Sequence, residues 1–220
     1  MSASVDDLKE WARSHLRWFG QSAFRIKTED GALIFIDPFR VPSSAGPASL
    51  ILVTHTHMDH YDKRAIAGLR RADTVVILPM SCAEPGQRGI APGQNATIGR
   101  VKVTGVASYN VGRRHHPKSA GWLGYIVEAD GIRLYHAGDT DPIPEMDGLH
   151  PDIALLPVGG IFSMGWRAAA EASRTIGARL AIPMHYTMLI GGRRAGERFS
   201  KAVGPGSLVL PRPTRLSERP

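Results

Sequence analysis

Alternation of apolar and polar residues divides the first part of the chain into short strands. Apolar runs at residues 16–19, 23–27 and 32–36 are separated by polar or glycine-containing turns. Spacing of this kind is typical of β-hairpins. A fourth run, residues 50–53, has no polar position and predicts a buried strand.

Four helices are predicted as well. They cover residues 6–15, 63–71, 167–176 and 195–203. Ser4 and Asp62 stand directly before the first two helices and are suitable N-caps. Further strands are predicted at residues 74–78, 97–104, 124–129, 132–136, 153–158, 180–184 and 208–210.

The order of these elements predicts the architecture. A strand-rich stretch followed by a helix-bearing stretch occurs twice, which indicates two similar halves, each a sheet with helices on its outer face. We therefore predict an α/β fold, a four-layer αββα sandwich, as a single domain over residues 1–220. Residues 81–95, rich in Gly and Pro, are expected to be irregular, and residues 211–220 to form a loose tail.

The composition is that of an ordinary soluble globular protein. The chain has 220 residues, of which 43% are hydrophobic and 21% charged, enough for one sizeable core. No apolar run approaches the roughly 20 residues of a membrane-spanning helix. With Cys82 as its one cysteine the chain forms no internal disulfide, and we expect a cytoplasmic protein with Cys82 as a small buried side chain.

The formal charge of +7 raises the question of an anionic partner. Lys and Arg number 27 against 20 Asp and Glu, but much of the excess lies in scattered arginine pairs rather than in a basic block interleaved with aromatic residues. We therefore expect a small-molecule substrate and no nucleic acid. The sequence does not determine the oligomeric state.

Four potential metal ligands lie within six residues, directly after the buried strand at residues 50–53. They are His55, His57, Asp59 and His60. If the strand continues, the first two point to the same side, and the other two reach round from the following turn. Neutral imidazole and carboxylate groups bind Zn, Mn or Fe. The stretch therefore predicts a metal site, although a histidine-rich surface loop would have the same composition.

Two later residues strengthen this prediction. Asp139 follows the strand at residues 132–136 in the run His-Ala-Gly-Asp-Thr, and His185 follows the strand at residues 180–184 in the run Pro-Met-His. Because strand ends meet at one edge of a sheet, these side chains are expected to converge with the histidine stretch.

The combination of His-x-His-x-Asp-His, Gly-Asp-Thr and Pro-Met-His resembles the metallo-β-lactamase superfamily, from the run Trp-Phe-Gly-Gln-Ser at residues 18–22 to about residue 210. The chain is similar in particular to metal-dependent hydrolases related to L-ascorbate-6-phosphate lactonase, because of the run Tyr-His-Ala-Gly-Asp-Thr-Asp and of His116-Pro117-Lys118. The resemblance implies the αββα sandwich of the metallo-β-lactamase type and two divalent metal ions, with zinc as the first choice and manganese or iron as alternatives.

The resemblance also implies which ligand serves which metal. His55 and His57 match the first site, and Asp59 and His60 match the second.

Asp139 matches the carboxylate that bridges both metals, and His185 matches the last ligand of the second site. Many members have a third first-site histidine where residues 108–110 stand here, and this chain has none there. Either His116 or His115 is left to supply it from the following loop, and we favour His116.

Other residues near these motifs keep two interpretations. Asp37 is either a hydrogen-bond partner of a ligating histidine or a turn residue, and Tyr186 either donates to substrate or packs. His136 is expected to pack rather than to bind metal. Gln21 stands where related hydrolases often have a histidine, which puts an acid–base role at that position in doubt.

The implied activity is that of a metal-dependent hydrolase. A metal-bridged hydroxide would attack an ester, lactone or phosphoester, with Asp59 orienting it and carrying its proton. Cations in the loop of residues 113–118 favour a small anionic substrate. The alternatives are a nuclease of the same superfamily and a non-catalytic metal-binding protein on this fold.

Overall fold

Two six-stranded mixed sheets face each other in the computed structural model, which describes residues 3–186, 192 and 194–211. The strands of the first sheet, in spatial order, are β1 Leu16–Gly20, β2 Ala23–Lys27, β3 Leu33–Ile36, β4 Leu50–Leu52, β5 Val75–Pro79 and β6 Arg88–Ile90. Those of the second sheet run from one edge to the other as β12 Leu180–Met184, β11 Ile153–Pro157, β10 Ile132–His136, β9 Leu123–Ala129, β8 Val101–Ala107 and β7 Asn95–Ile98. Each half of the chain thus forms one sheet.

Helices cover the outer faces of both sheets. They are α1 Val5–His15, α2 Lys63–Leu69, α3 Trp166–Thr175 and α4 Ala195–Val203. Helix α2 packs outside the first sheet, α3 and α4 pack on β11 and β12, and α1 contacts β1, β2 and β12. The four-layer αββα prediction is confirmed. No helix in the described ranges combines the length and apolar character needed to cross a membrane.

Both predicted N-caps are confirmed, since the side chain of each accepts from the backbone in the first turn of its helix. The Ser4 hydroxyl accepts from the Asp7 backbone N–H, and the Asp7 carboxylate accepts in return from Ser4. The carboxylate of Asp62 accepts from two backbone N–H groups in the first turn of α2. These bonds satisfy N–H groups that the helix leaves without an internal partner.

The side chains of β4 and of the residue after it alternate between two apolar clusters, one on each face of the first sheet. Leu50 and Leu52 join the apolar cluster to which both sheets contribute. Ile51 and Val53 point the other way and pack with Ile66 of α2 on the outer face of the first sheet. Both sets are fully buried, which explains why the run carries no polar position.

Several predicted boundaries are wrong. Residues 97–104 form a hairpin rather than one strand, because Gly99, at φ 57°, turns the chain between β7 and β8. Residues 208–210 form no strand, and the contact there is a bridge of Ser207 to Ala181.

Two further expectations need correction. The region of residues 81–95 is not wholly irregular, since it contains β6. Cys82 is half-buried rather than buried. Of the predicted loose tail, residues 212–220 lie outside the described residues.

The two sheets are joined by hydrogen bonds directly beneath the histidine stretch. The hydroxyl of Tyr125, on β9, donates to the Val53 carbonyl at 2.7 Å, and the Leu123 N–H donates to the Thr54 carbonyl at 3.0 Å. These bonds fix the end of β4 against the second sheet.

Replacing Tyr125 by Phe should therefore lower the free energy of unfolding by about 1–3 kcal/mol, because the buried Val53 carbonyl loses its donor. The measurement is urea denaturation of metal-free protein. Tyr135→Phe is the matched control: its buried hydroxyl has no hydrogen-bond partner in the described part of the chain, so stability should stay the same or rise. Equal losses in both variants would contradict this account.

Candidate metal centre

The predicted ligands converge where parallel strands end. Asp37 directly follows β3, and the loop of residues 55–60 follows β4, which runs parallel to β3. Asp139 follows β10 and His185 follows β12, in the parallel part of the second sheet. The site thus lies where the carboxyl ends of strands from both sheets meet.

One group of imidazoles gathers on the side of the first sheet. Ring nitrogens of His55, His57 and His116 lie within 4.8 Å of one another. The ring centroids of His55 and His57 are 4.7 Å apart, and those of His55 and His116 are 4.3 Å apart. Strand β4 ends at Leu52, so His55 and His57 lie in the loop that follows it, and strand alternation does not account for their approach.

His116 reaches this group because its loop folds back. The Asn110 N–H donates to the His116 carbonyl at 2.7 Å, which closes the loop after β8. The ring of Trp122 packs against His116, with centroids 4.3 Å apart, and also against His55 and His57. His115 points elsewhere and places its ring against Phe162. Sequence reasoning did not identify Trp122, which has no metal-binding group to mark it.

A second group contains the remaining ligands. Ligand atoms of Asp59, His60 and His185 lie within 4.8 Å of one another. The His185 Nε2 atom is 3.4 Å from Asp59 Oδ2 and 3.2 Å from Asp139 Oδ2. Asp139 also groups with His55 and His60, so its carboxylate lies between the two sets.

Two buried side chains orient these imidazoles. Asp37 Oδ2 is 2.7 Å from His60 Nδ1 and accepts from the Thr54 hydroxyl at 2.7 Å. The Thr54 Oγ1 atom is 2.8 Å from His55 Nδ1. Each ring is therefore held through Nδ1, which leaves Nε2 toward the centre of the site. Of the two interpretations of Asp37, the hydrogen-bond partner is confirmed. Thr54 was missed, although it lies between the strand and the first histidine.

The backbone is strained at three positions beside these ligands. Gln21, Asp37 and His185 have φ of 46°, 46° and 57°, in the left-handed region that non-glycine residues rarely adopt. The His185 N–H donates to the Gln21 carbonyl at 2.9 Å, so two of them support each other. Such conformations cost roughly 1–3 kcal/mol each and cluster at functional sites.

Burial keeps two of the first-group rings neutral. Burial and the neighbouring imidazoles of His60 and His116 hold the pKa of His55 well below its usual range. Burial also lowers the pKa of His116 to about 3. At neutral pH both rings therefore present a lone pair rather than a proton.

The carboxylates attract positive charge to the middle of the site. Burial alone would raise the pKa of Asp139, but the imidazoles of His185 and His60 outweigh it and bring that pKa to about 2. Burial would lower the pKa of His60, but the carboxylates of Asp139 and Asp37 outweigh it and raise the pKa well above its usual range. A cation is therefore stabilised at this point.

Unpartnered polar atoms show that the donor set fits a metal. His55 Nε2, Asp139 Oδ1 and both ring nitrogens of His116 are buried without a hydrogen-bond partner among the described residues. Buried polar atoms are otherwise paired in proteins. Imidazole and carboxylate atoms that point at one another and lack donors are what divalent cations require.

A cleft of about 310 Å³ opens over these groups. Among the described residues it is lined by Gln21, His57, Met58, Asp59, His115, Asp139 and Phe162, none of which is Lys or Arg. Two of the loop cations are engaged beside it: Arg113 donates to the Ile161 carbonyl at 2.7 Å, and Lys118 pairs with Glu145 at 2.6 Å. The lining therefore gives no support to the predicted anionic substrate, which stays a prediction.

The other residues singled out from the sequence lie outside the ligand groups. Tyr186 is buried and stacks on Trp18, with ring centroids 5.0 Å apart, which favours its packing role. His136 Nε2 is 2.9 Å from the Ser22 carbonyl, so this ring is hydrogen-bonded to the backbone, outside the ligand groups.

Fold and site together define a class. Two mixed sheets flanked by helices, with histidine and aspartate side chains clustered where their strands end, form the metallo-β-lactamase fold. The chain belongs to the beta-lactamase superfamily: the profile of the Beta-lactamase superfamily domain matches residues 15–185.

Individual relatives support this family assignment. A UPF0173 metal-dependent hydrolase of Polynucleobacter asymbioticus is 34% identical over 216 residues, covering 79% of this chain and 74% of the relative. A solved structure of a protein described as a metal-dependent hydrolase, from Parabacteroides distasonis, is 30% identical with a TM-score of 0.78 and covers 91% of this chain and 93% of that chain. Igni18, a metallo hydrolase from Ignicoccus hospitalis, has 26% identity, a TM-score of 0.72 and coverages of 90% and 94%. None of these three descriptions names a substrate.

Replacing Asp37 by Asn should weaken metal binding by about 10–100-fold, because His60 loses a charged partner while the residue keeps its shape. Asn also tolerates the left-handed backbone conformation at this position. Competition with a chromophoric chelator gives the affinity. Unchanged affinity in a folded variant would contradict the orienting role of Asp37.

His116→Ala should reduce the metal bound per chain, because the first group loses one of its three ring nitrogens. His115→Ala is the matched neighbour and should bind metal as the unmodified chain does, since its ring lies on Phe162. Elemental analysis after dialysis against limiting metal makes the comparison. Loss of metal in His115→Ala alone would reverse the assignment.

Proposed function

We propose that this chain is a metal-dependent hydrolase that cleaves an ester, lactone or phosphoester bond in a small molecule. The observation that carries the proposal is the placement of Asp139 between two groups of imidazoles, with buried, unpartnered ligand atoms. The relatives named metal-dependent hydrolases support the same activity class.

The site would hold two divalent ions. His55, His57 and His116 would bind the first. Asp59, His60 and His185 would bind the second, and the Asp139 carboxylate would be shared. Zinc is our first choice, and this thiolate-free donor set also suits manganese and iron. When bound, such a pair supplies Lewis acidity, which lowers the pKa of water and stabilises negative charge on the reacting oxygen.

Asp59 is the residue that we assign to proton transfer. Its side chain lines the cleft, and its Oδ2 atom accepts from the Gln21 amide at 3.1 Å. Burial would raise the pKa of Asp59, but the His185 and His60 imidazoles outweigh it and lower that pKa below its usual range. The ionised carboxylate can therefore orient the attacking water and accept its proton. Gln21 supports this geometry without titrating.

Substrate size is set by the cleft. A volume of about 310 Å³ is at the lower end of the range for small-molecule sites. Neither its size nor its lining favours a nucleic acid, which binds through Lys and Arg side chains along an extended surface.

Chelation should abolish hydrolysis of a panel of esters, lactones and phosphoesters, and adding back Zn, Mn or Fe should restore it. The physical reason is that the activity needs the Lewis acid that this donor set binds. Initial rates at matched metal content are the measurement. Full activity in metal-free protein would overturn the proposal, and stoichiometric metal without turnover of any substrate would favour the non-catalytic alternative.

Asp59→Asn should lower kcat by about 100-fold or more, because the amide cannot accept a proton. Metal content is measured in the same samples, so that a lost ion is distinguished from lost proton transfer. Glu145→Gln is the control, since this carboxylate pairs with Lys118 outside the cleft. Unchanged kcat in metal-loaded Asp59→Asn would reject the role of Asp59.

A further inference from the structure

Two exposed apolar side chains, Met58 and Phe162, line the cleft. Of the six large apolar residues that are exposed in the described part of the chain, four lie on the loops that border it. They are Met58, 80% exposed, Val111, 61%, Ile161, 57%, and Phe162, 40%. Clustered exposed apolar surface is uncommon on proteins unless it binds something.

Phe162 is presented by a well-anchored loop. We call residues 159–165 the lip. A backbone bridge between Gly159 and Gly165 closes its base, and the Gly160 N–H donates to the Met164 carbonyl at 3.0 Å. The Met164 N–H in turn donates to the Thr140 carbonyl at 3.0 Å, next to Asp139. The lip is therefore fixed relative to the bridging carboxylate.

Contacts between loops complete the wall. The His115 ring meets the Phe162 ring edge-on, with centroids 5.6 Å apart. Arg113 donates to the Ile161 carbonyl at 2.7 Å, which ties the two loops together. Phe162 and Met58 thus line the cleft together with His57 and Asp59, so a group bound beside these candidate ligands has an apolar surface within reach.

We propose that the substrate carries an uncharged apolar group, aromatic or branched aliphatic, beside the bond that is cleaved, and that Phe162 is the residue that selects it. The inference rests on the proposed function for the metal centre itself. It replaces the anionic substrate expected from the loop cations, because those cations do not line the cleft. A phenyl-sized group packed on Phe162 should gain about tenfold in affinity over a charged group of similar size.

The test uses two thiols that bind metals through the same sulfur and differ in their second group. Benzyl mercaptan carries a phenyl ring, and 2-mercaptoethanesulfonate carries a weakly coordinating sulfonate. Dissociation constants are measured by calorimetry on metal-loaded protein, after metal uptake has been verified. Benzyl mercaptan should bind about tenfold tighter, Phe162→Ala should bring the two constants close to each other, and Phe162→Leu should retain most of the preference.

Val209→Ala removes an exposed apolar side chain outside the cleft and should leave the preference unchanged. A preference that survives in Phe162→Ala would overturn the inference, as would tighter binding of 2-mercaptoethanesulfonate. If Arg113→Met removed such tighter binding, the guanidinium at the rim would be the selecting group instead. A chain that takes up no metal contradicts the proposed function, and that result is read before either thiol is added.

Discussion

The site depends on two buried carboxylates, those of Asp37 and Asp139, which lie where the two sheets meet. Asp37 and Asp139 are almost fully buried, and the ion pairs that they make are with imidazoles. A buried carboxylate is costly unless a cation or several donors compensate for it. Neutral rings at His55 and His116 present lone pairs and add no positive charge. The site is therefore arranged for cations.

The scaffold holds this charge by joining both sheets at the same point. Tyr125 of the second sheet binds the backbone just before the histidine stretch, and the His185 N–H binds the Gln21 carbonyl across the sandwich. The positive φ of Asp37 lets its carboxylate turn toward His60. The unfavourable backbone conformation at such positions persists because the surrounding hydrogen bonds hold it in place.

The net charge of the chain and the chemistry of its cleft are separate properties. The excess of Lys and Arg is spread along the chain, and Lys118 pairs with Glu145. Two of the side chains that line the cleft, Met58 and Phe162, are apolar. Formal charge predicts solubility and long-range attraction, whereas the side chains that line a cleft determine what fits beside the reacting bond.

The sequence alone determined the αββα sandwich and six of the seven candidate ligands, because both follow from local patterns. Strand and helix runs repeat in order, and motifs such as His-x-His-x-Asp-His keep ligands at fixed spacing. Only the tertiary structure decided that His116 rather than His115 joins His55 and His57, since adjacent residues of an irregular loop carry no periodicity to separate them. The sequence likewise did not predict the apolar lining at Phe162, because this lining forms where loops distant in sequence pack together beside the candidate ligands.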